Sequence, residues 1–364
     1  MIESYFDRNT TSVIKGTALI LMFVHHFFTF PEWWIEGITY PIISRLSPYF
    51  CWPLKICVPV FCFISGYLYS FNREKNLKYS VRKIFQILVR YWIVFFVFAT
   101  IAVLILGYRY SFIGFVKECF ALYCPTMVFC WYVRFYIVFM LLLPILRHAM
   151  CHNFYLDVVI TILLVPIGFQ LLDIFVSNTL ISRIFYEMAQ WFPVVLAEMV
   201  FAQYNLFSKL HLNIHIKCEG LNICLWVLLS IIIVVSRYYI PGSIYIVFKD
   251  LSFGIPTDVF SVPVFIYSLG NVIKNLRLGV AYKVLSCIGE KSLLMWFGSC
   301  IFFNNCKIIS QPILYAPKNP LLVMIWGLLV CYLFACLFGL VSDKILFKID
   351  QTKAGIRART SLLH

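Results

Sequence analysis

Apolar residues recur along this 364-residue chain in successive stretches, each long enough to cross a bilayer, and that pattern decides its fold class. A helix that spans a membrane needs about 20 predominantly apolar residues. Stretches of that kind centre near Leu21, Phe63, Val97, Phe139, Leu164, Leu196, Ser230, Phe265, Met295 and Val330. Hydrophobic residues make up 62% of the chain and charged residues only 13%, whereas soluble domains carry about 25% charged residues. The expectation is an all-α integral membrane protein of about ten transmembrane helices. Residues 1–343 form one polytopic domain, and residues 344–364 form a basic tail, disordered or lying on anionic lipid.

The net charge of +14 invites a nucleic-acid reading, but the basic residues sit in short connections between spans, where they set orientation. About 18 Lys and Arg fall on the side of the termini and about 9 on the other, which puts both termini in the cytoplasm. No nucleic-acid partner is expected. The first span is read as a retained signal anchor, since Pro31-Glu32-Trp33-Trp34 follows it rather than a small-residue cleavage site. Trp33-Trp34 reads as an interfacial anchor. The 14 cysteines lie mostly in apolar spans without a Cys-x-x-Cys pair, so they read as small hydrophobes. The longer connections near 31–55, 107–126 and 239–251 read as loops, and the first and third suit lids or substrate contacts.

His25-His26 stands out because ionisable rings in a membrane helix are costly and mark functional positions. Lys15 and His26 are eleven residues apart, about three helical turns, so they share a face roughly 16 Å apart along the axis. His25 points about 80° away from that face. Such a face could hold the two ends of one long anionic ligand. The second span carries Val58-Pro59 and, seven residues after the proline, Gly66 beside Ser65, a step that permits a kink and close helix approach.

Arg90, roughly 10 Å inside the third span, needs a partner or a polar cavity. With Arg82 and Lys83 it could bind phosphate, which a guanidinium fork matches. Arg134 follows Trp131 at the start of the fourth span, where it either snorkels to the interface or meets an anionic acceptor. Glu198, mid-span, needs a cation such as Arg90 or Lys291, and Glu187 lies eleven residues before it. His148 and His152 have metal-pair spacing but no obvious carboxylate third ligand, so they read as solvated loop histidines and no metal site is expected.

Taken together, several segments resemble the acyltransferase-3 family of integral membrane proteins. They are Lys15-Gly16-x-Ala18 running to His25-His26, Val58-Pro59-x-Phe61-x-Phe63-Ile64-Ser65-Gly66-Tyr67-Leu68, and Arg90-Tyr91-Trp92. Trp131-Tyr132-x-x-Phe135-Tyr136, Gly289-x-Lys291-Ser292-x-x-x-Trp296 and Tyr315-Ala316-Pro317-Lys318 continue the series in order. The resemblance implies transfer of an acyl group, often acetyl, onto glycans and other envelope molecules. It also implies an essential histidine in the first helix, with basic residues nearby receiving acyl-CoA. Matching Lys15 to the family's usual Arg puts His26 at the essential position, with His25 beside it. Ser299 stands where many relatives carry a second histidine.

The resulting expectation is a multi-pass enzyme of the bacterial plasma membrane, with acyl-CoA, most simply acetyl-CoA, as donor and no tightly bound cofactor. A hydroxyl of an envelope polysaccharide or a lipid-linked sugar precursor is the acceptor. His26 and His25 are the candidate catalytic residues, Lys15, Arg82, Lys83 and Arg90 the candidate CoA-phosphate residues, and Arg134, Trp131 and Ser65 the candidate substrate-binding residues. The rivals are a transporter or flippase for lipid-linked glycans, with buried His, Arg and Glu as a proton path, and a non-catalytic assembly factor.

Overall fold

The computed structural model describes residues 5–31, 34, 38–71, 76–150, 153–213, 218–248, 251–276, 279–303 and 307–361. Among them, nine helical stretches are long and apolar enough to cross a membrane, and the protein is an all-α multi-pass membrane protein. The tenth expected span, around Phe265, is a helix of 19 residues over Asp258–Leu276 but is not one of the nine. It carries Asp258, Asn271, Lys274 and Asn275 among its apolar residues.

The helices are α1 (Arg8–Phe28), α2 (Pro41–Phe50), α3 (Cys57–Ser70, entered through a 3₁₀ turn at Pro53–Ile56), α4 (Leu77–Leu104), α5 (Phe112–Cys119) and α6 (Trp131–Ala149). Next come α7 (Phe154–Val159), joined by a π turn to α8 (Val165–Ile174), then α9 (Thr179–Gln203), α10 (Leu206–Asn213) and α11 (Glu219–Tyr239). An antiparallel hairpin follows, β1 (Ser243–Phe248) against β2 (Leu251–Pro256), with Ser243 opposite Pro256 and Phe248 opposite Leu251. The chain finishes with α12 (Asp258–Leu276), α13 (Gly279–Ser299), α14 (Lys307–Tyr315) and α15 (Pro320–Ser361).

Three of the connections expected to be loops therefore hold regular structure: α2, α5 and the hairpin. α15 continues past Lys344 to Ser361, because the residues around that boundary (Asp343-Lys344-Ile345-Leu346-Phe347-Lys348) contain no helix breaker. Trp33 and His152 lie outside the described residues. The Trp34 indole N–H donates to the Phe27 carbonyl at 2.8 Å and caps the end of α1.

The chain divides into two compact units, residues 1–80 with 138–290, and residues 81–137 with 291–364. In the first, α1 begins at an Asp7 cap that accepts from the Thr10 amide at 2.6 Å. α3 and α9 cross at Gly66, where a Cβ would lie 2.3 Å from the Val195 carbonyl oxygen. Only glycine admits that approach, which explains the Ser65-Gly66 step. The second unit packs around aromatic rings. Tyr91 and Phe95 stack at 5.8 Å between centroids, Phe297 meets Tyr91 edge-on, and Phe98 packs on Phe334.

Candidate functional site

In the first unit, His25 and His26 occupy the last turn of α1. The His25 side chain is buried. Its Nδ1 lies 2.9 Å from the Cys51 carbonyl oxygen and 3.0 Å from the Thr29 hydroxyl oxygen. A carbonyl only accepts, so Nδ1 carries the proton and Nε2 carries the lone pair. The ring stacks on Trp52, with centroids 5.5 Å apart and planes 13° from parallel. The His26 ring is 5.5 Å from it, tilted by 48°, and His26 is less buried than His25.

Trp52 is also a wall of a cavity of about 550 Å³. The cavity gathers groups from six places in the first unit: Lys55 in the 3₁₀ turn, Gln170 on α8, Gln190 and Trp191 on α9, Arg237 in the last turn of α11, Asp258 opening α12, and the hairpin. The hairpin forms one side because the Gln170 side chain pairs with the Gly254 backbone in both directions, each bond 2.7 Å long. Arg237 forms an ion pair with Asp258, and Asp258 also accepts from the Ser261 hydroxyl. Among the sequence-predicted residues of this unit, Lys15 lies within α1, where the Glu290 carboxylate acts on its charge. The Ser65 hydroxyl donates to the Phe61 carbonyl of its own helix at 2.8 Å.

The remaining predicted residues belong to the second unit. Arg90 pairs with Asp343 of α15 at 3.1 Å. Arg82 and Lys83 lie near the start of α4, Arg82 exposed and Lys83 half-buried. Arg134 is 3% exposed and donates to the Ala121 and Leu122 carbonyls at 3.3 and 2.9 Å. Ala121 has φ +53°, so the guanidinium holds a strained turn in place. Trp131 is half-buried beside Tyr132, whose ring meets Trp296 edge-on at 5.7 Å. Two of the motif segments thus touch.

Glu198 belongs to the first unit, whereas Arg90 and Lys291, its expected cations, belong to the second. Glu198 is wholly buried, and neither carboxyl oxygen has a hydrogen-bond partner among the described residues. Its Cβ instead packs on Gly66. Glu187 pairs with Arg183 one turn earlier, at 3.8 Å. His148 bonds the Pro144 carbonyl at 2.7 Å through Nδ1, and among the described residues no group of three ligating side chains is placed for a metal. Ser299 donates to the Trp296 carbonyl at 2.7 Å.

Sequence reasoning missed Trp52, Lys55, Arg237 and Asp258. Arg237 and Asp258 are the detectable ones, opposite charges at the ends of consecutive helices on either side of a short connection. It also missed Glu118, the anchor of the segment between α4 and α6. Glu118 accepts from the Thr126 and Met127 amides at 2.7 and 3.1 Å, while Tyr91 and Trp92 donate to the Glu118 and Cys119 carbonyls at 2.7 Å each. Tyr91 and Trp92, read as part of a motif, therefore hold a folded connection. No protein-family model, curated protein or solved structure matches this chain.

Proposed function

We propose that the protein is a membrane acyltransferase that moves an acyl group, most simply acetyl, from acyl-CoA to a glycan hydroxyl. The placement is the bacterial plasma membrane with both termini cytoplasmic, and the acceptor is an envelope polysaccharide or its lipid-linked precursor. The reading rests on one observation: the His25 tautomer fixed by the Cys51 carbonyl, with Nε2 left as a base next to a cavity wall.

In the proposed step, an imidazole nitrogen of the His25–His26 pair takes the proton of the acceptor hydroxyl as its oxygen attacks the thioester carbonyl. The C–S bond breaks, the new ester forms, and the CoA thiolate leaves and is protonated. Neutral imidazole suits that transfer near neutral pH. His26 shares its α1 face with Lys15, and His25 has the fixed tautomer, so each variant is informative. In the proposal Lys15, on the same helix as the two histidines, meets a CoA phosphate.

The test is mass spectrometry of envelope glycans from cells fed isotopic acetate, with the wild-type chain, H25A or H26A. Labelled ester in wild type that vanishes in at least one variant, at unchanged protein level, supports the reading. Label that is independent of the gene contradicts it. The transporter reading keeps one observation in its favour, the Glu198 carboxyl, unpartnered among the described residues, as a proton carrier. It predicts movement of glycan without any change in glycan mass.

A further inference from the structure

The cavity beside Trp52 presents donors that nothing in the described protein satisfies. The Lys55 ammonium lies 5.5 Å from the Trp52 ring centroid and has no acidic partner among the described residues. Arg237 gives an Nη to Asp258, and its Nε is occluded from the cavity, so Arg237 is not a free donor there. The Gln190 amide, on the α9 wall, also has no hydrogen bond among the described residues. Asp258 is the only acid among the lining residues and is already engaged by Arg237. Among the described residues one cation is left over. Around these donors stand flat rings, Trp52, Trp191, Tyr186, Tyr238 and Tyr245.

We infer that this cavity binds a sugar carrying an anionic substituent, a carboxylate or a phosphoryl group, with the anion on Lys55. The aromatic walls take the apolar faces of the sugar ring, and the Gln190 amide takes a hydroxyl. A volume of about 550 Å³ lies within the usual range for small-molecule sites, about 300–1,000 Å³. A neutral glycan would leave the Lys55 charge without a counter-ion in a half-enclosed space, which disfavours it relative to the anionic one. The inference rests on the acyltransferase reading in so far as the bound sugar is the acceptor; binding itself does not depend on that reading.

Direct binding tests it. Full-length protein in nanodiscs of zwitterionic lipid is titrated calorimetrically with a short glucuronate-bearing oligosaccharide, its neutral glucose counterpart and a phosphorylated counterpart. The expected result is at least about tenfold tighter binding of one or both anionic sugars than of the neutral one. K55Q lowers it to the neutral level and K55R restores it. Uronate and phosphoryl arms identify which anion is read. Thermal unfolding confirms that K55Q is folded, as expected for a side chain whose loss orphans no partner. Equal affinity for all three sugars, binding of none, or an anionic preference unchanged in K55Q overturns the inference. So does loss of sugar binding on adding phosphatidylglycerol, which would make the anion a lipid headgroup. Acyl transfer is scored separately by glycan mass, so either idea can fail alone.

Discussion

Gly16 of α1 and Gly289 of α13 meet backbone to backbone. A Cβ on Gly16 would lie 2.0 Å from the Leu285 carbonyl oxygen, and one on Gly289 would lie 1.7 Å from that of Ser12. Two of the segments that carry the family resemblance are therefore, at these positions, a packing device, and a side chain at either position forces the helices apart. Overpacking of this kind costs about 1–3 kcal/mol, and more where backbone is the obstacle. G16A and G289A are expected to lower the unfolding temperature in detergent, with G16L worse than G16A. Unfolding midpoints unchanged in both alanine variants would contradict the close crossing.

His25 is held by its Nδ1–H and acts, in the proposal, through Nε2. H25N keeps an N–H that can donate to the Cys51 carbonyl but supplies no basic nitrogen. The expected outcome is a protein as stable as wild type whose transfer rate falls by a factor of about 10² to 10⁴ if His25 is the general base. Single-turnover transfer and thermal unfolding of the same preparation check both halves.

Glu118 ties the segment between α4 and α6. Burial, the strongest influence on it, raises its pKa above the usual carboxyl value, against the pull of the Thr126 and Met127 amides and the Tyr110 and Thr126 hydroxyls. Because the folded-state value exceeds the unfolded one, the folded segment holds the proton more tightly. Its stability is then greatest below the unfolded value and declines as pH rises through the interval up to the raised value. E118Q removes that dependence and keeps the acceptor for both amides, whereas E118A orphans them at about 1–3 kcal/mol each. Hydrogen exchange of residues 120–130 across pH reads the difference, and a segment equally protected in E118A and wild type would contradict the anchor.

Glu198 has no hydrogen-bond partner among the described residues. E198Q is therefore expected to leave stability and acyl transfer unchanged, while E198K, which forces a cation into the Gly66 crossing, prevents folding. If E198Q instead abolished pH-gradient-driven glycan movement in vesicles, the transporter reading would gain over transfer.

The spans were legible because runs of apolar residues leave a chain few alternatives. α2, α5 and the hairpin were not, since each is short and owes its form to partners distant in sequence, as with Gln170 on Gly254 and Tyr91 on the Glu118 carbonyl. The histidines were legible by chemistry alone. Their surroundings were not: the carbonyl that fixes His25 belongs to Cys51, a residue with no sequence signature for the task, and Arg237 meets Asp258 only because the hairpin brings consecutive helix ends together. Arg90 and Arg134 were visible as costly charges, but only the fold shows that one faces Asp343 and the other two carbonyls.

The most direct measurement is transfer by the purified protein in nanodiscs, supplied with isotopically labelled acetyl-CoA and an envelope glycan, followed by the intact mass of the glycan. The account predicts a mass increase of one labelled acetyl group, stoichiometric release of free CoA thiol, and loss of both in H25A or H26A. A glycan of unchanged mass and intact acetyl-CoA, from protein that is folded and binds the glycan, would contradict it.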